Sequence, residues 1–171
     1  MSQSQNEERK AWFKGMRKLK FGIQSEMRSA FIAKVVKYDK KKHLADIQPL
    51  ANFSDGTQQA QLLDVPVAEN CYIIDEILER FKPDYTATDK NSRIPAHPGA
   101  PAHDNSNFIS HYRKKPFMRA GVPVVAVILD RDNDNWGGGR SVNNFTPETN
   151  RLHDINDAVV IAVLGGDAVN G

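Results

Sequence analysis

The spacing of the apolar residues changes after Met27, and that change limits most strongly what this chain can fold into. Before it, Trp12, Met16, Leu19 and Ile23 recur at intervals of four, three and four. That spacing puts them on one face of a helix running from about Glu7 to Met27. Gly15 and Gly22 weaken this helix and allow a break within it. After Met27 the chain becomes a series of short β-branched runs bounded by turn residues. "AFIAKVVKYD" and "HLADIQPL" meet at the polar link "DKKK", so residues 30–49 read as a hairpin. Asp55-Gly56 is a turn signal, and "QAQLLDVPV" behind it reads as a third strand.

The next stretch, "CYIIDEILERF", carries Ile73, Ile74, Ile77, Leu78 and Phe81 at helical spacing and predicts a short amphipathic helix. Residues 82–118 show little periodicity and include prolines from Pro83 to Pro101, which predicts a long irregular excursion. "VPVVAVILD" reads as a buried strand and "DAVVIAVLG" as the last one, with Gly137, Gly138 and Gly139 in the loop between them. Helix, three strands, helix, two strands is the layout of an OB-fold, a small Greek-key barrel. The expected fold is therefore mainly β: a five-stranded OB-fold barrel with an N-terminal helix and a long insertion between the third and fourth strands. The expected division is a helical arm over 1–29, an OB-fold domain over 30–164 with its irregular insertion at about 72–118, and a short tail over 165–171.

Charge is unevenly spread. Residues 1–42 hold 12 Lys and Arg against 4 Asp and Glu, a balance of +8, and the whole chain is +2, which leaves −6 for the remainder. A basic arm thus precedes an acidic body. Such an arm suits nucleic acid, a membrane surface or an acidic protein, and equally a solvated helix face. Cys71 is the single cysteine, so neither an intrachain disulfide nor a cysteine zinc cluster is available. That usage is consistent with the cytoplasm. No stretch approaches the roughly 18 apolar residues of a membrane span, and "MSQSQNEERK" lacks the apolar run of a secretory signal.

Several constellations invite chemistry. Asp130, Asp132 and Asp134 alternate as the first ligands of a calcium loop do. The loop's required glycine and final glutamate are replaced by Asn135 and Ser141, so a strand-end turn is the better reading. His153 with Asp154 and Asp157 suggests acid–base work, yet no nucleophile motif accompanies them. His97, His103 and His111 lie in the excursion, where a shared metal is conceivable and scattered surface histidines are the simpler reading. Phe31, Lys34, Lys37 and Tyr38 on the first strand offer the aromatic and basic residues of a single-strand nucleic-acid binder, although the later strands are aliphatic.

Three segments taken in order carry a resemblance. They are "ADIQPLANFSDGTQQAQLLDVPV" (45–67), "VILDRDNDNW" (127–136) and "RLHDINDAVVIAVL" (151–164). Together they resemble the N-terminal OB-fold module of the membrane-puncturing central spike proteins of contractile-tailed phages. The matching residues are Gln48, Pro49 and Leu50; Val65, Pro66 and Val67; Asp130, Arg131, Asp132 and Trp136; and Arg151, His153, Asp154, Asp157 and Ala158. The resemblance implies an architectural role for the charged cluster, which would fix a turn and the approach of the last strand. It also implies a homotrimer in a virion tail baseplate, made in the host cytoplasm and meeting hub and tail-tube proteins and the host envelope. No catalytic residue, metal, cofactor or small-molecule substrate is expected of this chain. The long β-helix and the His-x-His tip of that family do not occur in these residues, and the Gly-Asp before the fourth strand is replaced by "RAGVPV". The expectation is accordingly a spike or a tube-closing plug, with a separate tip protein as a possible cap. Trp12, Phe13, Met16 and Leu19 are the expected partner-docking stripe, unless they cover the chain's own barrel. The alternative function is binding of single-stranded nucleic acid through the basic arm and Phe31, Lys34, Lys37 and Tyr38.

Overall fold

The computed structural model describes residues 3–90, 93–94, 98–99, 103–104, 107–139 and 141–167. His97 and residues 168–171 of the expected tail lie outside these described residues. Helix α1 (Gln3–Glu26) leads into strands β1 (Ala30–Asp39), β2 (Leu44–Pro49) and β3 (Leu62–Pro66). Helix α2 (Ile73–Lys90) follows, then the two-residue strands β4 (Arg93–Ile94) and β5 (His103–Asp104), and finally β6 (Pro123–Ile128) and β7 (Ala158–Val163). The five longer strands form one antiparallel sheet in the order β3-β2-β1-β6-β7. β4 and β5 pair only with each other.

The sheet curls because its ladders slip. The register shifts between Val35 and Lys37 where β1 meets β2, between Ala45 and Ile47 along β3, and between Val125 and Ala126 along β7. An extra residue in one strand of a pair bends that strand and raises its twist. The concave face collects the core. Ala33 and Val35 of β1, Ala45 and Ile47 of β2, Val124 and Ala126 of β6, and Ala158 and Val160 of β7 are all buried, with Met118 and Val122 beside them. These residues alternate along their strands, as one buried face requires. The curl brings the two edge strands together at one end. Val67, just past β3, bridges Val160 of β7 in parallel, and Ala68 N–H donates to the Val160 carbonyl at 2.8 Å.

α1 forms where the apolar spacing places it, whereas α2 runs past its expected end. α1 is continuous through Gly15 and Gly22. It does not cover the sheet: Trp12 is 66% exposed, and Phe13, Met16, Leu19 and Ile23 are exposed as well. α2 does not stop near Phe81 but runs to Lys90, with Pro83 inside it. A proline removes one helical hydrogen bond, here to the Glu79 carbonyl, and usually marks an end. Pro83 is exposed, so water can satisfy the freed carbonyl and the helix continues. The later part of the insertion is also tied down. Asp89 accepts from the backbone N–H of Phe108 and Ile109, both at 2.8 Å. Asp75, buried on α2, accepts from Arg113 Nη1 at 2.5 Å and from the N–H groups of Phe117 and Met118 at 2.9 and 3.0 Å. The excursion therefore lies back along α2 before entering β6. Among the described residues no helix is long and apolar enough to cross a membrane.

Close approach at the end of β7 fixes one glycine. Gly166 has φ +146°, and a Cβ there would lie 2.8 Å from Val122 Cγ1. Its carbonyl accepts from Arg119 Nη2. Gly165 has no atom within 4 Å of a built Cβ. Gly166→Ala is expected to destabilise the fold by roughly 1–3 kcal/mol, the range for a strained backbone position, whereas Gly165→Ala stays near wild type. Urea unfolding of the two variants checks this.

Candidate functional site

The segment leaving β6 and the segment entering β7 meet over Arg151. Three carboxylates, of Asp132, Asp134 and Asp157, bring oxygens within 4.8 Å of one another, the spacing of a cation site. Arg151 supplies the cation. Its Nη2 lies 3.1 Å from Asp132 Oδ1, 3.0 Å from Asp134 Oδ2 and 2.7 Å from Asp157 Oδ1, and its Nε donates to Asp157 Oδ2 at 2.8 Å. The contact with Asp157 is a bidentate fork, the strongest arrangement for this pair. Asp132 and Asp157 are fully buried, and buried carboxylates persist only when paired and hydrogen-bonded.

Backbone geometry supplies the remaining partners. Asp132 accepts from the Asp134 N–H at 2.9 Å, from the Thr149 N–H at 2.8 Å and from the Thr149 hydroxyl at 2.6 Å. Asp157 accepts from the Asn133 N–H at 3.2 Å, and its own carbonyl takes the Leu129 N–H at 2.9 Å. Asp154 caps the single helical turn Ile155–Asp157 by accepting the Asn156 N–H. The Thr149 hydroxyl bond, then the Asp134 N–H, and then Arg151 with the Thr149 N–H hold the Asp132 carboxyl below its ordinary value. The Asp157 hydrogen bond, followed by that of Asp134, raises the Arg151 guanidinium well above its usual range.

The residues singled out from sequence divide into two groups. Asp132, Arg151 and Asp157 form the centre. Asp130 and Arg131 stand outside it: they are exposed and lie 4.0 Å apart, so the alternating calcium-type set is not the cluster that forms. His153 adopts a left-handed backbone at φ +51° and shapes the turn; among the described residues its ring has no hydrogen-bond partner, and Asp154 does not orient it. Trp136 closes the turn through its N–H to the Asn133 carbonyl at 3.0 Å, and its indole N–H reaches the Ser141 carbonyl at 3.4 Å. Thr149 was missed, because a threonine in "FTPETN" has no sequence mark of its own.

A second grouping also lacked a sequence signal. His43, held at φ +55°, stacks on Tyr72 with ring centroids 3.9 Å apart and an interplanar angle of 7°. Its Nδ1 lies 3.2 Å from the Tyr38 hydroxyl and its Nε2 3.5 Å from Glu76 Oε1. Burial, with the nearby Tyr72 and Glu76, pushes the Tyr38 phenol upward. The candidate nucleic-acid set on β1 is not brought to one face. Phe31 and Tyr38 pack against the core, while Lys34 and Lys37 are exposed. His111 is exposed, and among the described residues the one group of three potential metal ligands is the carboxylate set already filled by Arg151.

No family model matches this chain, and no curated protein matches it. The geometry itself defines a curled five-stranded β-module with an N-terminal helix, whose strand ends are joined by a buried charge cluster.

The depressed Asp132 carboxyl gives a signed pH dependence. Its folded value lies below the unfolded reference of 3.8. The stability it contributes is complete above that reference and is lost as pH falls through the folded value. Below about pH 4, unfolding free energy is therefore expected to fall more steeply in wild type than in Asp132→Asn. Urea titrations between neutral and acid pH compare the slopes; equal slopes would mean that this ionisation does not stabilise the fold.

Proposed function

We propose that this chain is a structural, non-enzymatic component of a phage-like contractile tail baseplate: a trimeric central spike module or tube-closing plug built on an OB-type barrel. The observation that carries the reading is the meeting of two of the three resembling segments. Arg151, from the box before β7, locks onto Asp132 in the turn after β6. That pairing favours architecture over catalysis, since the guanidinium fills the space among the carboxylates. The barrel part of the reading is supported by the strand order with α2 between β3 and β6, and by the parallel bridge between Val67 and Val160. The role is mechanical: three modules around a three-fold axis close the tube end and are driven into the envelope when the tail contracts.

The single-strand nucleic-acid reading is weaker because its aromatic and basic residues on β1 face different ways. Light scattering behind a sizing column, at low and high salt, tests the proposal. The expected mass is three times the 19.1 kDa of one chain at both salt concentrations. A monomer that binds short single-stranded DNA, with affinity falling steeply as salt rises, would overturn the spike reading.

A further inference from the structure

The turn that carries Trp136 also borders a groove open to solvent. The groove measures about 800 Å³, inside the ~300–1,000 Å³ range of ligand pockets. The strands contribute apolar residues to it: Leu44 at the start of β2, Pro66 at the end of β3 and Val159 on β7. Its aromatic residues come from two distant parts of the chain. Trp136 stands on the loop after β6, while His43 ends the β1–β2 turn and Tyr72 precedes α2.

Both aromatic groups are fixed before any ligand arrives. Trp136 donates its backbone N–H to the Asn133 carbonyl at 3.0 Å and its indole N–H to the Ser141 carbonyl at 3.4 Å. His43 accepts the Val67 N–H on its carbonyl at 3.0 Å, stacks its ring on Tyr72, and sets its two nitrogens against Tyr38 and Glu76. Trp136, His43 and Tyr72 nonetheless stay partly exposed. Rings immobilised in advance lose little freedom on binding. Beside Trp136, Gly137, Gly138 and Gly139 keep the bordering loop free of side chains, so a ligand can approach its backbone closely.

The charges on the groove nearly balance. Glu69 and Glu76 stand against Lys42, and Glu76 already has His43 Nε2 at 3.5 Å. A phosphodiester strand would meet two carboxylates and one lysine. A polycation would meet Lys42 and His43. A lipid chain would strip water from all of these groups without replacing its hydrogen bonds. The ligand that fits is uncharged, apolar on its faces and rich in hydroxyls at its edge. A pyranose ring has both features. Its face of C–H bonds suits the negative face of an aromatic ring, and its hydroxyls donate to carboxylates, each with about four lone-pair sites.

We propose that this groove binds a short neutral oligosaccharide, with sugar rings laid against Trp136 and the His43–Tyr72 pair and hydroxyls held by Glu69, Glu76 and Lys42. The proposal concerns binding alone and does not depend on how many copies assemble.

Fluorescence titration of the full chain tests it. The sequence has two tryptophans, so Trp12→Phe leaves Trp136 as the reporter. The probes are cellotetraose, maltotetraose and chitotetraose, with a ten-residue oligothymidylate and tetralysine as charged competitors. At least one sugar is expected to shift the Trp136 emission saturably, with an affinity that salt does not change. Glu76→Gln and Glu69→Gln, both at exposed positions, are expected to weaken that binding about tenfold or more, with urea midpoints unchanged. No response to any sugar at roughly 10 mM would overturn the proposal. So would sugar binding that both Gln variants leave intact, since the sugar would then lie elsewhere. A salt-sensitive response to oligothymidylate or tetralysine alone would overturn it in favour of a charged ligand. A trimer that binds no sugar sinks this proposal and leaves the spike reading, whereas a monomer that binds sugar does the reverse.

Discussion

The ion pairs of Arg151 with Asp132 and Asp157 hold together the half of the sheet formed by its last two strands. β6 and β7 are neighbours in the ladder, yet residues 129–157 separate them, a long connection whose described residues form no strand or extended helix. A connection of that length has many ways to cross the end of a sheet. Burying two carboxylates there removes most of them, because each must find its partners or the charge is stranded. Asp132 binds forward to Asp134, Thr149 and Arg151, and Asp157 binds back to Asn133 and Arg151. The two acids thus read each other's position through one guanidinium. That is an expensive device in isolation, and its use here fits a demand for one loop path more than a demand for raw stability.

The same principle recurs at α2. Asp75 gathers Arg113 and two backbone N–H groups, and so delivers the insertion to the start of β6. Met118, the next residue in line, is fully buried under the sheet. Two buried aspartates thus bracket β6, one steering the chain in and one steering it out. Between them lies a narrow core of small and β-branched side chains. With so little apolar volume per strand, polar locks at the rim account for much of the specificity of the fold.

How much of this was legible in the sequence follows from what each signal measures. All five long strands and both helices were visible, because they rest on periodicity, and the core face alternates at Ala33 and Val35, Ala45 and Ile47, and Val124 and Ala126. The end of α2 was misplaced because Pro83 reads locally as a stop, whereas an exposed proline in a helix held by Asp75 and Asp89 is tolerated. The pairing of Arg151 with Asp132 and Asp157 was foreshadowed only as a cluster of charge. Its members are 19 and 6 residues apart, and nothing in one sequence distinguishes Asp132, fully buried, from exposed Asp130 two positions earlier. Thr149 and the His43–Tyr72 stack arise entirely from tertiary proximity, which no local pattern encodes.

The central claim is that Arg151 is the resident cation of an architectural lock. Unfolding of Arg151→Met by urea, with and without millimolar calcium or magnesium, tests it most directly. The account predicts a clearly lower midpoint for the variant, since removing one partner leaves buried carboxylates uncompensated, together with a wild-type midpoint that divalent cations do not move. A variant as stable as wild type, or a wild type that calcium stabilises in proportion to its concentration, would contradict it and return the three carboxylates to the role of a metal site.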